Sequence, residues 1–453
     1  MPIFDATSLQ GVPAPFWFVE FFKTLGFGLH LFPMGLWLVG IPVSLLLWIF
    51  GRGTSRLLAQ RFFQQTPIIV ALGINLAIVP LLFIQLAYAK PFYTSTILLG
   101  VHWLSIIPLV LVAYYACYLT SRAAKHDKKW GAAFWAFLSS GCFVSIGLIF
   151  SSVWTFFERP YEWEAVWRSS FLNVSNFKMG GEGSVLGTGT YWNNLSIFLR
   201  FSSIVGISFY SLATWFVFEA QYLYKDVSQR TGLGSKEQEK TDGNDGNSKT
   251  TSIQTSPERY VAFTTAISFF LVLVGLLATV PSIGKYALDS ASSFQTDSNW
   301  NSILWNILLG GIATALILPF IFILVFKLGK ISGRLLTWLM VFSEVALIGF
   351  FATFRQLLQN ANLRPYYCVE DAFAASEIQW GPIAVFLVVF VIVLLLTLKI
   401  VACLSSSKGS KPKKEKHVKQ LSAKKESGSE VGAPKSAEKR AASHRQSSLR
   451  KHD

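Results

Sequence analysis

The sequence predicts an all-α, polytopic membrane helix bundle of about nine transmembrane helices, and three observations predict it. Of 453 residues, 52% are hydrophobic and only 14% are charged, against about 25% charge in a soluble domain. The mean hydropathy is +0.44. Apolar runs of about 20 residues, the length that crosses a bilayer core as helix, recur along the chain.

The runs lie at 26–50, 68–89, 98–120, 131–157, 195–223, 259–281, 302–327, 331–355 and 380–403. The second holds GINLAIVPLLFIQLAYA and the last GPIAVFLVVFVIVLLLTLKIVAC; Arg200 interrupts the fifth. Basic residues follow the first run (Arg52, Arg56, Arg61), the third (Arg122, Lys125, Lys128, Lys129) and the seventh (Lys327, Lys330, Arg334). The other short connections are poor in Lys and Arg. Because basic loops stay on the cytoplasmic side, the pattern predicts an N-terminus outside and a C-terminus in the cytoplasm.

Residues 1–15 lack the basic and apolar regions of a signal peptide. FWFVEFFKTL at 16–25 reads as an interfacial aromatic helix on the outer face, which closes an outer N-terminal segment, 1–25. The transmembrane bundle then occupies 26–403, with a disordered cytoplasmic loop at 225–258. Residues 404–453 read as a basic, disordered cytoplasmic tail. The chain carries +15 overall, and the tail alone holds 14 Lys and Arg against 5 Asp and Glu, a net of +9. That excess, beside a membrane span and without aromatics, points to anionic lipid headgroups and not to nucleic acid. The four cysteines (Cys117, Cys142, Cys368, Cys403) form no C-x-x-C pair and no C-x-x-C-H motif, which excludes covalent c-type haem on this chain.

Of six histidines, His417, His444 and His452 lie in the tail and His126 lies in the basic loop SRAAKHDKKW. His30, in GFGLHLFPMGLW, and His102, in TILLGVHWLSIIPL, are the two inside spans. Both spans run inward, and each histidine lies about five residues past the outer boundary, roughly 8 Å deep. Two imidazoles at one depth suit the axial positions of one non-covalent haem b, metal-bound through His30 and His102. Gly26, Gly28 and Gly100 keep bulk low where a flat macrocycle would approach, and Met34, one turn from His30, would pack on it. The alternatives are a histidine that simply bonds a backbone carbonyl or water, another metal, or a proton relay.

Other polar residues fall near the same layer. Arg200 and Arg355 either snorkel to water or pair with a haem propionate or another anion. Gln85 and Asn306 sit near the outer ends of their spans. Glu344, ten residues past Arg334, lies near the bilayer midplane, where a carboxyl marks a proton or ion path or a buried donor. It is the candidate catalytic residue. The long outer loop, 157–194, carries Tyr161, Trp163, Trp167 and Trp192, which suit an interfacial aromatic belt, a cap over a cofactor, or a docking surface. Asn-x-Ser matches stand at Asn173 and Asn194. No nucleotide-binding, metalloprotease or Ser-His-Asp pattern is present.

HLFPMG at 30–35, PFYTSTILLGVHWLSIIPLVLVAYY at 91–115 and EIQWGPIAVFLVVFVIV at 377–393 resemble membrane portions of bacterial respiratory proteins associated with periplasmic multihaem cytochromes c. The resemblance covers about a quarter of the chain. It implies a subunit of the bacterial inner membrane that exchanges electrons between the quinone pool and a separate cytochrome c chain, as the membrane part of a quinol:cytochrome c oxidoreductase. A haem-free quinol-binding subunit, like those of the polysulfide-reductase type, implies a similar function without histidine ligation. A secondary transporter is the third reading, motivated by Glu344 and by spans interrupted at Asn75 and Pro80, although no inverted repeat is visible. Haem-handling proteins of cytochrome c biogenesis are set aside, because EWEAVW lacks the aspartate of their Trp-rich signature.

Overall fold

The computed structural model describes residues 12–172, 187–224, 256–294, 299–374 and 377–406. Residues 407–453 of the expected tail, most of the loop 225–258, the middle of the loop 157–194 with Asn173, and the side chain of Cys403 lie outside the described residues. Among the described residues every regular element is a helix. In hydrocarbon each backbone N–H and C=O must be paired within its own segment, and an apolar run of this length does so as helix.

The chain runs α1 (Phe16–Phe50), α2 (Thr54–Ala87), a short α3 (Ala89–Leu98), α4 (Gly100–Lys125) and α5 (Lys129–Phe157). A 3₁₀ turn and α6 (Trp163–Leu172) lead to α7 (Leu195–Phe218), which continues as a π-turn over Glu219–Tyr224. α8 (Pro257–Phe294), α9 (Asn299–Lys327), α10 (Gly333–Leu363), a short α11 (Val369–Ala374) and α12 (Trp380–Ser406) follow. Eight helices among the described residues are long and apolar enough to cross a membrane, and the chain is a multi-pass helical membrane protein. The expectation of nine is met at the other eight runs. The ninth falls on α12, which forms a unit of its own and whose described apolar stretch, Trp380–Ile392, is shorter than a span.

Two local expectations change. The aromatic stretch 16–25 is not a separate helix but the first turns of α1, because nothing between Phe16 and Phe50 breaks the helical run. α2 is likewise unbroken through Pro67 and Pro80, and Asn75 donates to the carbonyl of Ala71 on the turn before at 2.8 Å. The interruption that motivated the transporter reading is therefore absent from this helix.

α1 packs along α2 and also touches α5, α7 and α10. It can do so because a Cβ at Gly35 would lie only 3.0 Å from the Cα of Ser208, so glycine lets α1 and α7 approach closely. One end of the bundle collects basic residues. There Arg56 pairs with Asp127 at 2.7 Å, Gln60 donates to the carbonyl of Ala124 at 3.0 Å, and Trp48 donates to that of Lys129 at 2.9 Å. These bonds put the α1–α2 and α4–α5 connections side by side. At the opposite end Asn194 caps α7 by accepting from Ser196 N at 2.9 Å.

Candidate functional site

A cavity of about 350 Å³ opens between α1, α2, α4, α5, α7 and α10. Along α1 its lining runs from Lys23 to Leu38, roughly 22 Å at 1.5 Å per residue. Its polar groups gather at the end where α1 begins: Lys23, Arg200, Arg355, Gln356 and Gln359. Met34, Trp37, Leu38 and Phe143 line the deeper part. His30 lies between the two. A shallower surface groove between α3 and α6 is larger, about 640 Å³, but offers only Lys90 and Glu164 as charged lining groups. The inner cavity is therefore the candidate site, and it unites His30, Arg200 and Arg355.

His30 Nδ1 lies 2.8 Å from the carbonyl oxygen of Gly73 on α2. A carbonyl only accepts, so Nδ1 carries the proton and Nε2 the lone pair. The carbonyl-bonded histidine expected as the plain alternative is thus realised on one nitrogen, while the other is left as a ligand or acceptor. His102 is not in the cavity lining; its ring packs edge-on against Trp192 at 5.7 Å. It does share one stripe of α4 with Ile106 and Val110, spaced by four residues, and both of those line the cavity. The three glycines expected to make room for a macrocycle are instead met by protein. A Cβ at Gly26 would strike Pro80, one at Gly28 would meet Ile348, and Gly100 lies against Gly187.

Arg200 does not extend to water, and Arg355 is half-buried. Arg200 is 6% exposed and donates to Glu158 at 2.6 Å, which also accepts from Asn362 at 3.3 Å. Arg355 stacks its guanidinium 4.1 Å from the Phe27 ring and 5.1 Å from that of Trp154. Lys23 pairs with Glu20 at 2.6 Å and sits 4.0 Å over the Tyr88 ring. The Tyr88 hydroxyl joins Glu20, Asn360 and Gln356 in one network.

Sequence reasoning missed Lys23, Glu20, Tyr88, Gln356 and Gln359. The signal was present in part: Gln356 and Asn360 stand four apart, and Gln359 follows Arg355 by one turn, so all lie near one face of α10.

Glu344 stands apart from the cavity. It is 3% exposed and accepts a hydrogen bond from Ser211 of α7. Gln85 and Asn306 are likewise absent from the lining. At the basic end, Arg61 proves not to be a loop cation. It lies in α2 and donates to Glu219 of the π-turn, which also accepts from Tyr260 at 2.5 Å. A π-turn has no sequence signature as plain as a glycine or proline, and this pairing joins residues 158 apart. In the loop 157–194, Asn194 is taken up by its cap and by a 2.8 Å bond to Tyr191. Among the described residues, no three His, Cys, Asp or Glu side chains gather as a metal site.

No family model, curated protein or solved structure matches the chain.

Proposed function

We propose that the protein is a membrane electron-transfer subunit that binds one haem b in this cavity. It would exchange electrons between a membrane quinone and an external cytochrome c, with its N-terminus outside and the polar end of the cavity facing outward. The observation that carries the reading is the His30–Gly73 bond at 2.8 Å in a cavity shared with Arg200 and Arg355. Haem-ligating histidines are commonly held this way, with the second ring nitrogen donating to a carbonyl that fixes the tautomer.

The residues fit the group in three respects. His30 offers Nε2 to the iron, Arg200 and Arg355 offer guanidinium N–H groups to propionates, and Phe27, Trp37 and Phe143 offer apolar walls. His102, on the same α4 stripe as the lining residues Ile106 and Val110, would be the second residue to hold the iron. Bound haem would supply one-electron exchange at a potential set by its ligands and burial. The chain's own part is to hold and desolvate that centre, and, through Glu344, to move protons that accompany quinone turnover.

The resemblance to respiratory subunits supports a bacterial inner-membrane location and a periplasmic multihaem cytochrome c as partner. The basic tail adds attraction to anionic headgroups on the cytoplasmic side. A haem-free quinol site is the second reading. The absence of His102 from the lining favours it, since His30 Nε2 alone can accept a proton from a quinol hydroxyl.

A reduced-minus-oxidised visible spectrum of the purified protein separates the two readings. The haem reading expects low-spin b-type bands and close to one non-covalent haem per chain by pyridine haemochrome. A colourless protein that co-purifies with quinone establishes the second reading instead.

A further inference from the structure

Two buried donors at the outer end of the cavity have no partner within the protein. Gln359 is 0% exposed and Ser151 2%. Both line the cavity, and neither Gln359 Nε2 nor Ser151 Oγ has a hydrogen-bond partner. Turning the Gln359 amide round does not relieve this. The Trp154 indole N–H, which only donates, lies 3.1 Å from the amide oxygen and fixes its orientation. Both hydrogens on Nε2 are therefore left over. Ser151 also departs from its neighbours on α5. Ser145 and Thr155 donate to the carbonyl four residues back at 2.9 and 2.8 Å, and Ser151 does not.

Buried polar groups in native proteins are nearly always hydrogen-bonded, so two orphan donors lining one cavity point to an acceptor that binds there. Positive charge stands beside them. Arg355 packs over the same Trp154 ring that holds Gln359, and Lys23, paired with Glu20, lines the same end. Donors and cations together select oxygen acceptors that carry negative charge. The apolar remainder of the cavity selects an apolar body. Ile78 both lines the cavity and is 49% exposed on the bundle surface, which gives such a body a route from the lipid.

We infer that the outer end of the cavity binds the acidic head of an amphipathic ligand, with Gln359 Nε2 and Ser151 Oγ as hydrogen-bond donors and Arg355 as the balancing charge. The head is a carboxylate or phosphate, and it has two sources: the propionate of a haem, or an acidic lipid that enters beside Ile78. The inference rests on the cavity named above but uses neither His30 nor an iron ligand.

The test compares wild type, Gln359→Leu combined with Ser151→Ala, and Gln359→Glu, all purified in mild detergent. Gln359→Glu keeps an oxygen for Trp154 while presenting an acceptor where the donor was. Haem release is followed by transfer to excess apomyoglobin, and acidic lipids are identified by solvent extraction and mass spectrometry. Both variants should lose the bound molecule at least tenfold faster than wild type, with unchanged helix content. If the double variant fails to fold, Ser151→Ala alone should still speed release about threefold. Haem retained in wild type and released from the folded variants at the wild-type rate overturns this site and leaves the haem reading standing. An acidic lipid retained in wild type without haem, and lost from the variants, keeps the site and overturns the haem reading. A wild-type protein that retains neither molecule overturns both.

Discussion

The Nδ1 of His30 and the carbonyl oxygen of Gly73 lie 2.8 Å apart, and this bond ties α1 to α2 beside the cavity. It forms where Gly73 also admits the Trp37 ring, which a Cβ would displace while coming within 3.1 Å of Pro33 Cβ. The same glycine thus sets both the packing of the two helices and the orientation of the imidazole.

Gly73→Ala should therefore act twice. Overpacking of this kind costs about 1–3 kcal/mol, so the unfolding midpoint in detergent should fall. The moved Trp37 should also disturb His30, seen as a shifted or broadened haem spectrum. A midpoint and spectrum equal to wild type would show that α1 and α2 adjust without strain.

The two histidines should behave differently. His30→Ala removes the only imidazole that lines the cavity among the described residues and should abolish bound haem. His102→Ala should retain haem but change its visible spectrum from low-spin to high-spin bands, if His102 helps hold the iron. A low-spin spectrum that survives in His102→Ala would remove His102 from the assignment.

Glu344 is buried against Ser211, eleven residues along α10 from Arg355, about 16 Å away. Glu344→Gln keeps the acceptor for Ser211 but removes the titratable group. It should leave the spectrum intact and slow quinone-linked turnover at least tenfold, about 1.4 kcal/mol of barrier. Turnover at the wild-type rate across the neutral pH range would reduce Glu344 to a structural acceptor.

At the basic end, Glu219 is 1% exposed and bound to Arg61 and Tyr260. Removing one partner of a buried pair leaves an uncompensated charge, at about 3–5 kcal/mol. Glu219→Ala and Arg61→Ala should each lower stability by about 3 kcal/mol on that scale. Arg61→Met combined with Glu219→Leu should recover more than half of the loss in chemical unfolding. A double variant as unstable as the sum of the singles would show that the two residues act independently.

The haem content of the His30 variant, set beside that of the Gln359 variants, separates the iron ligand from the head-group contacts. Only the first should remove haem outright.

The sequence by itself determined the helical membrane class and the position of nearly every span; of the five residues it singled out for the proposed site, His30, Arg200 and Arg355 line one cavity. Those follow from composition and from the cost of polar groups in hydrocarbon, both of which are local properties of a run of residues. Only the tertiary structure decided that His102 packs on Trp192, that Glu344 lies away from the cavity, and that Gly26, Gly28 and Gly100 are filled by Pro80, Ile348 and Gly187. It alone drew Gln359 and Ser151, 208 residues apart in the chain, to one end of one cavity, and paired Arg61 with Glu219. The physical reason is the rotation of each helix about its axis. Sequence gives depth through the 1.5 Å rise per residue, but which neighbour a side chain meets is set by how the helices pack. In lipid that packing is chosen by close contact at small residues such as Gly35 and Gly73, since lipid is as apolar as the side chains and hydrophobic burial does not select it.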